Sequence, residues 1–168
     1  MKKGFTIVEL LIVIVVIGIL AAITIVSFNS VQDKARQVKI QQDLQSVKQA
    51  ISTAQIQTGG TLKDIIQDYW VGEQCSSVTP GTNLASLSRT DGCWTRYASA
   101  LDKISTAGGA NIRNLVDPWG RPYWIDSNEG ESATTPCTQD NIAVYALPTN
   151  SSSTTNNISL PNVLAACM

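Results

Sequence analysis

Apolar residues run almost unbroken from Phe5 to Phe28, FTIVELLIVIVVIGILAAITIVSF, and the pattern then changes to spaced apolar positions among polar ones. At about 1.5 Å per residue the run is long enough to cross a hydrocarbon core of about 30 Å. It holds one charge, Glu9, and one glycine, Gly18. Further out, Val31, Ala35 and Val38 share one helical face, which Gln42, Gln45 and Gln49 continue as uncharged polar residues. Ile40, Leu44, Val47, Ile51 and Ala54, spaced 4, 3, 4 and 3, form a second stripe lying about half a turn away. No proline occurs from Met1 to Thr79. The pattern predicts one helix from Phe5 to Gln57, roughly 80 Å long, stopped by Gly59-Gly60. Two offset stripes predict two packing partners: the chain's own head on the outer stripe, and other molecules near the base.

Beyond Gly60 the elements are shorter. LKDIIQDYW and WTRYASALDKI read as helices, separated by a Ser- and Thr-rich loop bounded by cysteines. RPYWIDS and NIAVYALPT have the β-branched and aromatic content of strands. SNEGESATTPCTQD between them reads as a loop, and TNSSSTTNN as an exposed polar one. The tail NISLPNVLAACM turns apolar, and Cys167 is placed to tie it down. The expected fold class is α+β: a long amino-terminal helix packed against a small antiparallel sheet in a disulfide-stapled head. The expected divisions are residues 1–4, a leader; 5–28, a transmembrane and assembly helix; 29–58, an amphipathic outer helix; and 59–168, a globular head.

The 168 residues suit one domain plus an anchor. Histidine is absent, which removes the commonest general base and the commonest transition-metal ligand. There is no Gly-rich phosphate loop and no pairing of carboxylates for acid–base work, so the chain is expected not to be an enzyme. A formal net charge of −1 neither requires nor excludes nucleic acid; Arg89, Arg96 and Arg113 are the candidates for a basic patch. Cys75, Cys93, Cys137 and Cys167 form no C-x-x-C and all follow the apolar run. If that run sends the rest of the chain out of the cytoplasm, disulfides follow. Of three possible connectivities, Cys75–Cys93 and Cys137–Cys167 close the shortest loops. Asn150-Ser-Ser and Asn157-Ile-Ser match a glycosylation sequon, a motif of low specificity.

Glu9 decides between readings of the amino terminus. A secretory signal has a shorter apolar core and a small-residue cleavage site after it. A plain anchor accounts for length but leaves the carboxylate unexplained, since charge within a bilayer is expensive and usually functional. MKKGFTIVELL resembles the class III signal of type IV pilins and of type II secretion pseudopilins, and the resemblance extends over residues 1–57. It implies that a membrane prepilin peptidase cuts between Gly4 and Phe5 and methylates the new amine of Phe5. It implies that Glu9 is the assembly glutamate, paired with the Phe5 ammonium of a neighbouring subunit, because a buried carboxylate needs a partner. The implied partners are other pilin subunits in a homopolymer or mixed filament, the peptidase and an inner-membrane assembly platform. The implied location is the cytoplasmic membrane, spanned once with the head outside, and then an extracellular or periplasmic filament. Lys34, Arg36 and Lys39 follow the run, so orientation rests on the resemblance rather than on charge. The family often has a proline late in the run; Val26 stands there in this chain.

LVDPWGRPYWID, residues 115–126, resembles the D-P-W-G-x-P-Y element of major pseudopilins and many pilins. Pro118 and Gly120 read as a turn, Pro122 as the start of an edge strand, and Trp119 and Tyr123 as packing on the helix. In major pseudopilins the following loop binds calcium, which gives Asp126, Asn128, Glu129, Glu131 and Asp140 as candidate ligands, hard oxygens suited to Ca²⁺. No other cofactor is expected. The loop departs from an EF-hand, since Gly130 stands where a ligand belongs. The function implied is that of a type IV pilus subunit. The alternatives are a major pseudopilin of a type II secretion system and a membrane-tethered minor pilin that binds DNA or another ligand.

Overall fold

A computed structural model describes residues 4, 6–68, 70–146 and 154–167, with the side chains of 25–27 excepted. The first helix, α1, runs Ile7–Thr58 over 52 residues, close to the expected span. Its last carbonyls meet Gly59, whose φ of +69° suits a residue without a Cβ. The chain divides into two units, Met1–Val38 and Lys39–Met168.

In the first unit α1 carries the one stretch among the described residues that is long and apolar enough to cross a membrane, with a mean hydropathy of 3.2. Its apolar side chains are exposed, Leu10, Ile14, Ile17 and Leu20 among them. Val31 and Val38 are exposed as well.

In the second unit the outer stripe behaves as its spacing predicts. Ile40, Leu44, Val47, Ile51 and Ala54 are all buried. The first four join one core with Leu62 and Ile66 of α2 (Leu62–Ile66) and with Tyr97, Leu101 and Ile104 of α4 (Gly92–Gly108). Thr61 and Asp64 start α2 with a reciprocal capping box, and the Asp91 carboxylate caps α4 by accepting from the Cys93 N–H. A Cβ on Gly108 would lie 2.7 Å from the Ala50 carbonyl oxygen, so this glycine lets α4 approach α1 backbone to backbone.

The sheet covers the rest of the core. Strands β1 (Trp124–Asp126), β2 (Asn141–Tyr145) and β3 (Thr154–Ser159) pair antiparallel in the order β1-β2-β3. Tyr123, Ile125, Ile142, Val144 and Leu160 supply its share of the core. The Cys75–Cys93 bridge ties α3 (Glu73–Ser76) to the start of α4. Around it lies a smaller buried cluster with Leu84, Trp124, Ala143 and Tyr145. Cys137–Cys167 ties the carboxyl-terminal segment to the loop before β2. Both pairs are the ones that the short loops favour.

Three expectations are corrected. The Cys-bounded loop contains α3 and a short 3-10 turn, Leu84–Ser86, capped by the Asn83 side chain. Part of the polar run TNSSSTTNN, expected as a loop, is β3. This strand lies at the sheet edge and keeps most of its side chains in solvent, so no apolar alternation marks it. A register shift leaves Asn156 and Asn157 opposite Ala143, and Asn156 takes the positive φ of 55° that asparagine tolerates. Trp119 does not pack on the helix: it stays 39% exposed with the Arg121 guanidinium 4.8 Å from its ring. The end of the expected second strand, residues 147–149, and the start of the polar run, 150–153, lie outside the described residues.

Candidate functional site

Thr6 and Glu9 build the start of α1 between them. The Glu9 carboxylate accepts from the Thr6 backbone N–H and from the Thr6 hydroxyl, both at 2.8 Å, and the Glu9 N–H donates to Thr6 Oγ1 at 3.2 Å. This is the reciprocal geometry of a capping box. The one charge of the apolar run is therefore oriented by a side chain of its own segment and stays exposed on the helix surface. Gly4 has open space around it. Phe5, the residue expected to carry the new amino terminus and its methyl group, lies outside the described residues.

The D-P-W-G element closes on itself. Asp117 Oδ1 accepts from the N–H groups of Trp119 and Arg121, at 2.9 and 2.8 Å, while Oδ2 accepts from Arg121 Nε at 2.6 Å. Both side chains are 1% exposed. Gly120 takes a φ of +79°, as the turn requires. The element is fastened to α1 at Asp43, whose carboxylate accepts from the Tyr123 hydroxyl and from Lys39, and Lys39 also donates to the Val116 carbonyl. Burial, together with the Asp43 carboxylate, pushes the Tyr123 hydroxyl well above the usual phenol range. Asp43 and Lys39 escaped sequence reasoning; their i, i+4 spacing on the helix is the signal that marks them.

The candidate calcium ligands interact in part. Among the described residues no group of three or more acidic or cysteine side chains that could hold a metal ion is found. Some of the oxygens are held by other groups of the chain. Glu129 Oε1 accepts from the backbone N–H groups of Val163 and Leu164 at 2.7 and 2.8 Å, and Asp140 Oδ1 accepts from the Glu129 N–H at 2.8 Å. Asn128 turns its amide to the Gln139 carbonyl, and Glu131 points into solvent. Asp126 is half-buried, and that burial raises its carboxyl. Asp126 also bonds the Asn128 side chain and feels the Glu131 carboxylate, and burial pushes Asp140, which lies beside Glu129 and Asp126, up to about 6. Glu129 holds the carboxyl-terminal tail through Oε1, while Glu129 Oε2 and Asp140 Oδ2 are buried without a hydrogen-bond partner.

The three candidate arginines also separate. Arg96 is committed to Asp68 and Glu73, and the hydrogen bonds that it donates to Asp68 chiefly hold it charged. Arg113 pairs with Asp102 at 2.6 Å. The Arg89 guanidinium lies 3.4 Å from the centre of the Trp94 ring, and Arg89 and Arg113 line the same cleft. Among the described residues there is no constellation of a nucleophile and a base.

Residues 1–25 match the prokaryotic N-terminal methylation motif. Over 58 residues the chain is 43% identical to the type IV narrow pilus major component PilA5 of Thermus thermophilus, a match covering 34% of this chain and 50% of that protein. Over 123 residues, 68% of this chain and 76% of the relative, it is 30% identical to a fimbrial protein of Pseudomonas aeruginosa. This chain belongs to the type IV pilin family. A second fimbrial protein of Pseudomonas aeruginosa matches the pilin to the same extent. The pilin's match thus spans half the length of the Thermus component and about three quarters of the fimbrial proteins. No solved structure matches it. These relatives are structural pilins rather than enzymes, in keeping with the lack of histidine. The motif match takes in Gly4, Phe5 and Glu9, and the fold is pilin-like: a long apolar amino-terminal helix, a three-stranded antiparallel sheet and two disulfides.

Proposed function

We propose that this pilin is the structural subunit of a type IV pilus. A prepilin peptidase cuts it between Gly4 and Phe5 and methylates Phe5. An assembly platform in the inner membrane then draws it into a filament through α1, with the head outside the cytoplasm. The observation that carries this reading is a helix whose apolar side chains are exposed from Ile7 to Ile23, interrupted by the single carboxylate of Glu9. Such a surface is stable in lipid or against other copies of itself, and not in water. Cutting removes Lys2 and Lys3 and leaves an ammonium at Phe5, of opposite charge to Glu9. Within one chain Glu9 meets the Thr6 N–H and hydroxyl. In the filament a neighbour's Phe5 ammonium joins it, and a pair that forms only at one axial offset sets the register between subunits.

The D-P-W-G-R-P-Y element also favours a second reading, a major pseudopilin of a secretion system. Both readings require the same processing. Intact-mass and amino-terminal peptide analysis of sheared filaments is expected to give a chain beginning at methylated Phe5. A mature chain that retains Lys2, or one that begins beyond residue 20, contradicts both.

A further inference from the structure

We propose that the cleft between the first turns of α4 and the Arg113–Val116 segment binds an acidic sugar, a pyranose bearing a carboxylate. The cleft has a volume of about 430 Å³ and is lined by Arg89, Trp94, Ala98, Arg113, Asn114 and Leu115 among others. That size falls within the range of pockets that hold small ligands. Its chemistry is divided. Ala98 and Leu115 give an apolar wall, while Arg89, Arg113 and the exposed amide of Asn114 give polar groups around it.

Arg89 is an exposed cation of the site. It rests on Trp94, 3.4 Å from the ring centre, and has no acidic partner among the described residues. The indole beneath it is fixed, because Trp94 Nε1 donates to the Leu84 carbonyl at 3.0 Å and the ring is only 3% exposed. The guanidinium is thus held over the indole, and a guanidinium can bind a carboxylate through two parallel N–H bonds. Arg113 adds a second guanidinium, oriented by Asp102 and by Thr106. Asn114 offers both donor and acceptor to sugar hydroxyls, and the apolar wall suits the C–H face of a pyranose.

A nucleic acid fits this cleft less well. Binding of single strands relies on open aromatic faces and on a track of cations along the phosphates. Trp94 and Tyr97 are 3% and 2% exposed, so neither offers a face, and Asp102 partly neutralises Arg113. Arg96 lies outside the cleft and is already paired.

The test is calorimetric titration of the full chain in detergent with trigalacturonate, with galactotriose as the neutral control and a 20-nucleotide single-stranded DNA as competitor. Polymerisation is not needed for this measurement, so its failure is separate from failure of the filament reading. The expected result is saturable binding of trigalacturonate, weakened at least about tenfold by Arg89→Gln and by Arg113→Gln, with no binding of galactotriose and no displacement by DNA. Both arginines are exposed, and an unchanged near-ultraviolet circular dichroism spectrum shows that each variant is folded. Absence of binding, equal affinity in both variants, or equal binding of galactotriose overturns the proposal. DNA that binds the wild type and is lost in both variants overturns it too, by giving the cleft to nucleic acid.

Discussion

One carboxylate, Asp117, accepts two backbone N–H groups and a guanidinium inside a turn of the chain, where it and Arg121 are both sealed from water. Removing one member of a buried pair leaves the other charge unpaired, at a cost of about 3–5 kcal/mol. Asp117→Ala is therefore expected to lower the melting temperature of the head sharply, with both disulfides still formed, as a thermal melt and non-reducing peptide mapping would register. The turn itself was legible, because Pro118 and Gly120 carry turn chemistry wherever they occur together. The role of Arg121 was not. Arginine is rarely buried, and no local pattern separates an arginine paired across four residues from one in solvent. Arg89 and Arg113 show the same limit: sequence marked them as basic, but only the fold puts them on one cleft and sends Arg96 to Asp68.

Among the elements, α1 was legible almost to the residue, since a long apolar run without proline, a stripe spaced 4, 3, 4 and 3 and a Gly-Gly stop leave little room for another reading. Strand β3 was not, because an edge strand made of Thr and Asn takes its stability from backbone pairing with β2 and hides no alternating face. The segment joining β1 to β2 has contacts that the sequence did not show. Its acids looked like ligands for a cation, and in the structure Glu129 accepts the tail's N–H groups while Asp140 accepts that of Glu129. Desolvation, partly offset by the Glu129 N–H, places the Asp140 carboxyl at about 6, with the Glu129 and Asp126 carboxylates adding to the rise. The folded value exceeds the unfolded one of 3.8, so burial favours the protonated form. The stabilisation is full below the unfolded value and is lost as pH rises through the folded one. The head is expected to melt higher at pH 5 than at pH 7.5, and Asp140→Asn should flatten that difference while its oxygen still accepts from the Glu129 N–H. A melting temperature that is independent of pH over this interval in the wild type contradicts the assignment.

At the scale of the whole molecule, the chain holds a head with its own core and a helix whose inner apolar side chains are exposed. The sequence shows the contrast, because the outer stripe is spaced for packing and the inner run is apolar all round. Glu9 is where the two demands on the inner run conflict: lipid disfavours the carboxylate, and under the proposed function the filament uses it. Glu9→Ala removes the partner for a neighbour's ammonium without touching the head, whose core residues all lie beyond Lys39. The most direct measurement is filament yield from cells whose only copy of the pilin carries Glu9→Ala, beside the amount of mature pilin in their membranes. The account predicts wild-type levels of membrane pilin with both disulfides formed, and few or no filaments. Filaments of normal length and number would contradict it.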